Sequence, residues 1–380
     1  MVFFSDAPYF GGAEEYILLL AKALRRELFD PVVLLRDGAR RIDEFEERLA
    51  RSGIAFRRHR FHKEPTIRDI FDLYGILRKE KPDIFHINLP SSYDAGAGLV
   101  AVIGKLARAG AIVLTEHLPS SSRCLRLYPM KKMSLLLADR VIAICEATRD
   151  GLIRQHGARP ERTVTIYNGV EVDNLPGRDE IRTIRQEIRI DEDSPLIAMI
   201  GELSPRKGHI YLLNSLVKVV KEKPDVNLAV IGEGELFPFL MQTSKKFGIE
   251  KNVKFLGRRK DVRRLIGAID FLALPSLHEG IPYVVLETMA NGKPVVATSL
   301  PGVAEVVCDG RTGFLVQPRD VDGLSAAILK LVRDREKTRK MGELARLSIT
   351  EKFSLQHSVT RTEELYLEIL NSKGRPAGAG

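Results

Sequence analysis

Short apolar runs alternate with amphipathic helical patterns along this chain. One series is complete before a polar stretch near residue 180, and a second follows it. In the first, Val2 to Phe4, Val32 to Leu35, Ile84 to Ile87, Ile112 to Thr115, Val141 to Ile144 and Val164 to Tyr167 read as strands. Ala13 to Leu28 and Ile67 to Lys79 read as helices, the former with Ile17, Leu20, Ala21, Leu24 and Leu28 at helical spacing. In the second series, strands are expected at Leu196 to Ile200, Leu228 to Ile231, Val253 to Leu256, Phe271 to Leu274, Val295 to Ala297 and Phe314 to Val316. Helices are expected between them at Ile210 to Lys223, Leu236 to Phe247, Asp261 to Ile269 and Pro282 to Ala290. A last long helix is expected over Ser358 to Leu370.

Strands that are apolar throughout are buried on both faces, and helices between strands imply parallel pairing. The pattern predicts an α/β chain of two doubly wound domains, and a length of 380 residues agrees with two. The polar stretch Glu171 to Asp193, with Pro176 and Gly177, reads as the linker. The expected division is 1–172, 173–355, a helix over 356–372 and a disordered tail over 373–380.

In such sheets ligands bind beyond the carboxyl ends of the strands. Four places there carry chemistry. Gly11-Gly12 opens the first helix, where small residues let a ligand approach the backbone; a plain tight turn is the alternative. His86, Asn88, Glu116-His117 and Glu146 follow strand ends, His117 directly. Gly201 to Gly208 places Arg206 and Lys207 side by side in a glycine-bounded loop, which suits a diphosphate or is an ordinary basic loop. Pro275 to Asn291 delivers a loop with Glu279, Gly280 and Ile281 onto a helix that Pro282 begins and that carries Glu287. A helix N-terminus favours an anion, and the flanking carboxylates would accept hydrogen bonds from sugar hydroxyls. The alternative makes Glu279 a cap and Glu287 a solvated helix residue.

The net charge of +9 and a pI near 9.4 suggest acidic partners. Basic residues concentrate at Arg57, Arg58, Arg60 and Lys63, then at Arg123, Arg126, Lys131 and Lys132. The second cluster lies beside Leu125, Leu127, Met130, Met133 and Leu135. It reads as a solvated face, or as one resting peripherally on an anionic membrane. No nucleic-acid motif is present and there is no Trp, so nucleic acid is not an expected partner. The best candidate for a membrane span, Gly98 to Leu114, is broken by Lys105 and Arg108. No signal-peptide pattern opens the chain, and Cys124, Cys145 and Cys308 show no metal or redox spacing, which fits a reduced cytosol.

Glu279-Gly-Ile-Pro with Glu287 forms an E-x7-E motif resembling that of the retaining glycosyltransferases of family 4, which have the GT-B fold. Gly11-Gly12-Ala13-Glu14, His86-Ile87-Asn88, Glu116-His117, Asn168-Gly169-Val170 and Ser204 to Gly208 resemble further family motifs in the same order. So do Gly302 to Glu305, Gly310 and Gly313. The resemblance implies two Rossmann-like domains facing across a cleft: an N-terminal acceptor domain, a C-terminal donor domain and a final helix crossing back to the first. It implies a hexosyltransferase that moves a sugar from a nucleotide-diphosphate sugar, by default a UDP-sugar, to a hydroxyl acceptor; the basic apolar stretch Arg123 to Leu137 makes a polysaccharide or lipid-linked glycan the expected one.

By the same resemblance, Glu287 would take the ribose and Glu279 the transferred sugar. Backbone groups at Gly280, Ile281 and beside Pro282 would meet phosphate or sugar. Arg206 and Lys207 would neutralise the leaving diphosphate. Gly11 and Gly12 would let backbone approach the distal phosphate or acceptor, His117 would contact the sugar near the reacting carbon, and Arg258 would lie near the base. His117, Glu279, Arg206 and Lys207 form the catalytic set. No metal and no cofactor is expected, and transfer would retain the anomeric configuration by front-face attack or double displacement. The location implied is the cytoplasm, at the inner membrane face. Many family members have Arg where this chain has Glu202. The first strand is short, which leaves room for a native start upstream of Met1. The rival readings are another GT-B enzyme such as a nucleotide-sugar epimerase, and a nonenzymatic nucleotide-sugar-binding protein. A phosphorylase would need a pyridoxal-phosphate lysine motif and a dehydrogenase a GxGxxG before a helix, and neither is found.

Overall fold

A computed structural model describes residues 1–61, 64–89, 96–118 and 128–374. The chain forms two compact units. The first comprises Met1–Gly169 and Leu355–Gly380, the second Val170–Ser354.

The first unit is built on a seven-stranded sheet: β1 Val2–Ser5, β2 Val32–Arg36, β3 Ala55–His59, β4 Ile84–Leu89, β5 Ala111–Glu116, β6 Arg140–Ala143 and β7 Thr163–Thr165. Its spatial order is β3-β2-β1-β4-β5-β6-β7, and every pairing is parallel. The second unit has β8 Leu196–Ile200, β9 Asn227–Ile231, β10 Val253–Gly257, β11 Phe271–Leu274, β12 Val295–Thr298 and β13 Gly313–Val316. These run in the order β10-β9-β8-β11-β12-β13, again all parallel. Both units are therefore Rossmann-like, as the alternation predicts. In each, strand order reverses between the first strand and the fourth, at β1/β4 and at β8/β11. Loops leaving adjacent strands in opposite directions open a crevice at such a point.

Side chains of the central strands supply the cores. Phe4, Leu34, Phe85, Ile87, Ile112 and Leu114 pack with Leu73 and Leu77 of the Ile67–Glu80 helix in the first unit. Ile197, Met199, Leu228, Phe271 and Val296 pack with Leu212, Leu216 and Ile328 in the second. These side chains are essentially inaccessible, so each contributes roughly 1.5–3 kcal/mol of burial.

Several elements depart from the sequence expectation, each for a local reason. β3 is an edge strand whose exposed positions carry Arg57 and Arg58, which hid it from a reading tuned to apolar runs. Both are neutralised: Arg57 pairs with Glu80 at 3.4 Å and Arg58 with Glu46 at 2.7 Å. Half of that basic cluster is thus a charged sheet edge, and Lys63 lies outside the described residues. The first helix spans Gly12–Ala23, not Ala13 to Leu28. Leu24 turns extended, and Glu363 of the last helix takes both the backbone N–H and the Nε of Arg25, each at 2.7 Å.

Residues 171–193 are not a linker. They contain the Arg178–Glu187 helix, which buries Ile184 and Arg185. The Arg185 guanidinium donates to the Ala268 carbonyl at 3.0 Å, the Ser194 carbonyl at 2.7 Å and Asp270 at 3.2 Å. Helices Val321–Arg333 and Arg335–Lys352 follow β13, and the last helix, Leu355–Ser372, belongs to the first unit. Lys373, expected in a disordered tail, is held by the Gly110 carbonyl and Asp139, both at 2.8 Å. Residues 375–380 lie outside those described. No helix among the described residues is long and apolar enough to cross a membrane.

Candidate active site

In the second unit the switch point assembles two loops. After β8 the chain passes Gly201 and a single 3-10 turn, Pro205–Lys207, into the His209–Glu222 helix. Gly208 at the junction has φ +73°, and a Cβ there would lie 2.0 Å from the Pro275 carbonyl oxygen. Only glycine fits both the left-handed backbone and this approach. The contact lays the β8 loop against the start of the β11 loop, where the Leu277 N–H donates to the Arg206 carbonyl at 2.8 Å.

This seam brings Arg206 and Lys207 onto Glu279. Lys207 Nζ donates to Glu279 Oε1 at 2.7 Å, and Arg206 Nη1 to Oε2 at 3.2 Å and to the His278 carbonyl at 3.1 Å. Glu279 is 6% exposed, Lys207 12% and Arg206 37%. Burial alone would raise the Glu279 pKa, but Lys207 and Arg206 outweigh it and hold the carboxyl below its ordinary value. So Glu279 caps no helix; it is an ionised group clamped between two cations.

Pro282 is the N-cap of the Tyr283–Ala290 helix rather than its first residue, with ψ at 128°. Gly280, Ile281 and Pro282 are buried on the approach to it. A Cβ on Gly302 would fall 2.4 Å from the Gly280 carbonyl oxygen, so that glycine serves close packing beneath the loop. Glu287, on this helix, is only 17% exposed and faces Arg263 Nε at 3.6 Å. Arg263 also binds Glu171 at 2.6 Å. It was missed in the sequence, where Arg263-Arg264 reads as an ordinary helix surface.

Arg258 follows β10 at the sheet edge, two strands from β8. Glu202 is exposed and forms no ion pair among the described residues. Gly232 and Gly234, after β9, were also missed. Cβ atoms on them would lie 1.9 Å from the Gly201 carbonyl oxygen and 2.5 Å from that of Leu203, so they seat the β9 loop on the β8 loop. A Gly-x-Gly directly after an apolar run was the available signal.

In the first unit Gly11 is the N-cap of the Gly12–Ala23 helix. Glu14 reaches back to accept the Gly11 N–H at 2.9 Å and the Ser5 hydroxyl at 2.7 Å, so the Gly-Gly turn is fixed to the end of β1. Gly12 is exposed beside it. His117 follows β5. Its ring meets Tyr16 edge-on at 5.0 Å, and Nε2 lies 3.4 Å from the Asn88 side-chain oxygen. Burial lowers the His117 pKa to about 3, so the imidazole is neutral at physiological pH.

His86 is a different case. It sits inside β4, fully buried, with Nδ1 2.5 Å from the Tyr366 hydroxyl and Nε2 2.6 Å from Thr115 Oγ1. It ties the last helix to the sheet and is no strand-end ligand. Glu116 is likewise internal, and its carboxylate takes the ammonium of Lys131, itself 3% exposed. Of the basic cluster expected as a solvated or membrane-facing surface, Lys131 instead points into the unit, Lys132 is exposed, and Arg123 and Arg126 lie outside the described residues. Glu146 opens the Glu146–His156 helix, exposed. Among the described residues no group of three or more His, Cys, Asp or Glu could hold a metal ion.

Comparison with known proteins bears on both units. Residues 10–174 match the model described as Glycosyltransferase Family 4, and residues 180–348 match that of Glycosyl transferases group 1. Over 376 residues the chain is 24% identical to the Escherichia coli UDP-Gal:alpha-D-GlcNAc-diphosphoundecaprenol alpha-1,3-galactosyltransferase, covering 96% of each. It is 30% identical to the Bacillus anthracis N-acetyl-alpha-D-glucosaminyl L-malate synthase over 213 residues, 56% of this chain and 55% of that protein. The chain thus spans about half the length of this second relative. Crystal structures of Anabaena HepE with UDP and with UDP-glucose superpose with a TM-score of 0.81 at 25% identity, over 96% of this chain and 98% of HepE. With one family model on each Rossmann-like unit, the chain is a GT-B glycosyltransferase resembling family 4.

Proposed function

We propose that the chain transfers a sugar from a UDP-sugar to a hydroxyl of a lipid-linked or polysaccharide glycan, at the cytoplasmic face of a membrane, without a metal and with retention of anomeric configuration. One observation carries the reading: the clamp of Arg206 and Lys207 on Glu279 at the β8/β11 switch point. Two cations meet one carboxylate here. A diphosphate would compete with Glu279 for Arg206 and Lys207, freeing the carboxylate to accept the sugar hydroxyls. As the sugar–phosphate bond breaks, negative charge grows on the nucleoside diphosphate, and cations already fixed there stabilise it without reorganisation. Glu287, Gly280 and Ile281 would hold the ribose and phosphates, Arg258 the base, and Gly11, Gly12 and neutral His117 would serve the sugar and acceptor side.

The UDP complexes of HepE and the UDP-Gal and diphosphoundecaprenol in the E. coli relative's name support the donor and acceptor classes. A thermal-shift screen of UDP-, GDP- and ADP-sugars without metal tests the reading on wild type and Glu287→Ala. UDP-sugars should raise the melting temperature of wild type and not of the variant. No shift with any nucleotide would leave the nonenzymatic reading, or a different ligand, in its place.

A further inference from the structure

At the end of the second sheet opposite the Glu279 clamp lies a cavity of about 200 Å3. One wall is made by the residues that lead into three neighbouring strands: Pro195 before β8, Asp270 before β11, and Lys293-Pro294 before β12. The facing wall carries Leu331 and Val332 from the Val321–Arg333 helix, and Arg335 and Arg339 from the start of the Arg335–Lys352 helix. A strand of four or five residues, roughly 13–17 Å, separates this cavity from the β8/β11 crevice.

The polar groups on its walls differ in how far they are committed. Asp270 is engaged, since its Oδ2 accepts the Leu196 N–H at 2.7 Å and the Arg185 guanidinium at 3.2 Å. The Thr338 hydroxyl is engaged too, donating to the carbonyls of Leu331 and Asp334 at 2.8 and 2.9 Å. Arg335 and Arg339 are 59% and 64% exposed, and they pair with acids that are themselves exposed, Asp193 and Glu343. Pairs of that kind hold little energy and yield to a better acceptor. Lys293 is half-buried and forms no ion pair among the described residues. Burial holds its pKa below the ordinary value, although Asp270 pulls the other way. An anion in the cavity would relieve that cost.

The backbone at Lys293 is fixed in advance. Its N–H donates to the Thr288 carbonyl at 3.1 Å, and Arg346 donates to the Ala290 carbonyl just before it. A Cβ on Gly342 would lie 1.9 Å from the Gly292 carbonyl oxygen, so the Arg335–Lys352 helix packs directly on this turn.

We propose that this cavity binds a small phosphate-bearing molecule, with its phosphoryl group on Lys293, Arg335 and Arg339 and any carbon skeleton against Leu331 and Val332. Arginine forks match phosphoryl oxygens, and Lys293 adds a point charge. The volume equals that of about seven waters, enough for a phosphate with a few carbons and too little for a nucleotide. The site is separate from the donor crevice, and the proposal does not rest on the transferase reading.

Isothermal titration of inorganic phosphate and of glycerol 3-phosphate into the full chain, in chloride buffer, is the test. Wild type should bind at least one of them, and the tighter of the two tells free phosphate from a phosphomonoester. Lys293→Met should weaken that binding by roughly tenfold or more, and Arg335→Gln/Arg339→Gln should weaken it as well. In phosphate-free buffer Lys293→Met should melt no lower than wild type, because it removes a half-buried charge that has no ion pair. No binding by wild type, undiminished binding in Lys293→Met, or a Lys293→Met protein that melts several degrees lower without phosphate overturns the proposal. Malonate bound as tightly as the phosphates overturns it too, since the phosphoryl group would then not be recognised. Arg206→Ala/Lys207→Ala separates the two cationic sites. Phosphate binding that survives in this variant supports the cavity, and binding lost there but kept in Lys293→Met places the phosphate in the crevice and overturns the proposal.

Discussion

Replacing Glu279 by Gln puts the clamp to a quantitative test. The substitution keeps the shape and one acceptor oxygen but removes the charge that Lys207 and Arg206 share. Breaking a buried ion pair from one side costs about 3–5 kcal/mol, because the other charge is left unpaired. Lys207 at 12% exposure is in that regime, whereas Arg206 at 37% is screened and adds at most ~1 kcal/mol. The Gln oxygen still accepts from one cation, which returns about 1.5–3 kcal/mol. The net loss is then about 2 kcal/mol, or about 4–8 °C in Tm for a unit the size of Val170–Ser354.

The pH dependence fixes the sign. The folded Glu279 pKa lies below its ordinary 4.5, so its contribution is fully present above that value and is lost as pH falls through the folded pKa. Calorimetry at pH 7.5 should show the variant melting lower, and the gap should close as the pH falls below 4.5 and through the folded pKa. In parallel, UDP alone should bind the variant at least as tightly as wild type, since its phosphates no longer compete with a carboxylate, while the extra affinity contributed by the sugar should vanish. Equal melting temperatures at pH 7.5, or a gap indifferent to acid, would refute the electrostatic account of the clamp. A tenfold loss of UDP affinity would refute the assignment of Arg206 and Lys207 to the diphosphate.

Two further outcomes follow from the packing. Gly208→Ala combines a φ of +73° with a Cβ 2.0 Å from the Pro275 carbonyl. It should cost more than the ~1 kcal/mol of left-handed strain alone and should weaken UDP binding, both readable from melts with and without nucleotide. Lys131→Met should strand the buried Glu116 carboxylate and cost about 3–5 kcal/mol in urea unfolding, whereas Lys131→Met/Glu116→Gln should recover most of it. A double variant no more stable than the single one would deny that the pair is the cause.

The residues that were legible in the sequence share one property: their environment is set by near neighbours. Strands such as Leu196–Ile200 and Phe271–Leu274 are apolar at every position because both faces are covered, and a run of that kind has few other uses. The Gly-Gly turn and the E-x7-E spacing are local as well. What stayed hidden depends on partners far along the chain. Glu279 stands 72 residues from Lys207, and only the order reversal at β8/β11 brings them together. Lys131 looks like any other member of a basic cluster until the sheet places Glu116 against it. The Arg178–Glu187 helix was obscured for the opposite reason: most of its side chains face water, and its two buried positions are one Ile and one Arg.

The seating of Tyr366 beneath His86 has a temporal consequence. Residues Met1–Gly169 leave the ribosome before Val170–Ser354, but the helix that covers their sheet, Leu355–Ser372, leaves after it. At about 5–20 residues per second, roughly ten to forty seconds separate the two, during which Val170–Ser354 emerges as one uninterrupted segment. The second unit can therefore complete itself during synthesis, while the first waits with the groove for Tyr366 open. A nascent chain stalled before residue 355 would expose that groove and be a substrate for chaperones, even though most of its sheet is already made.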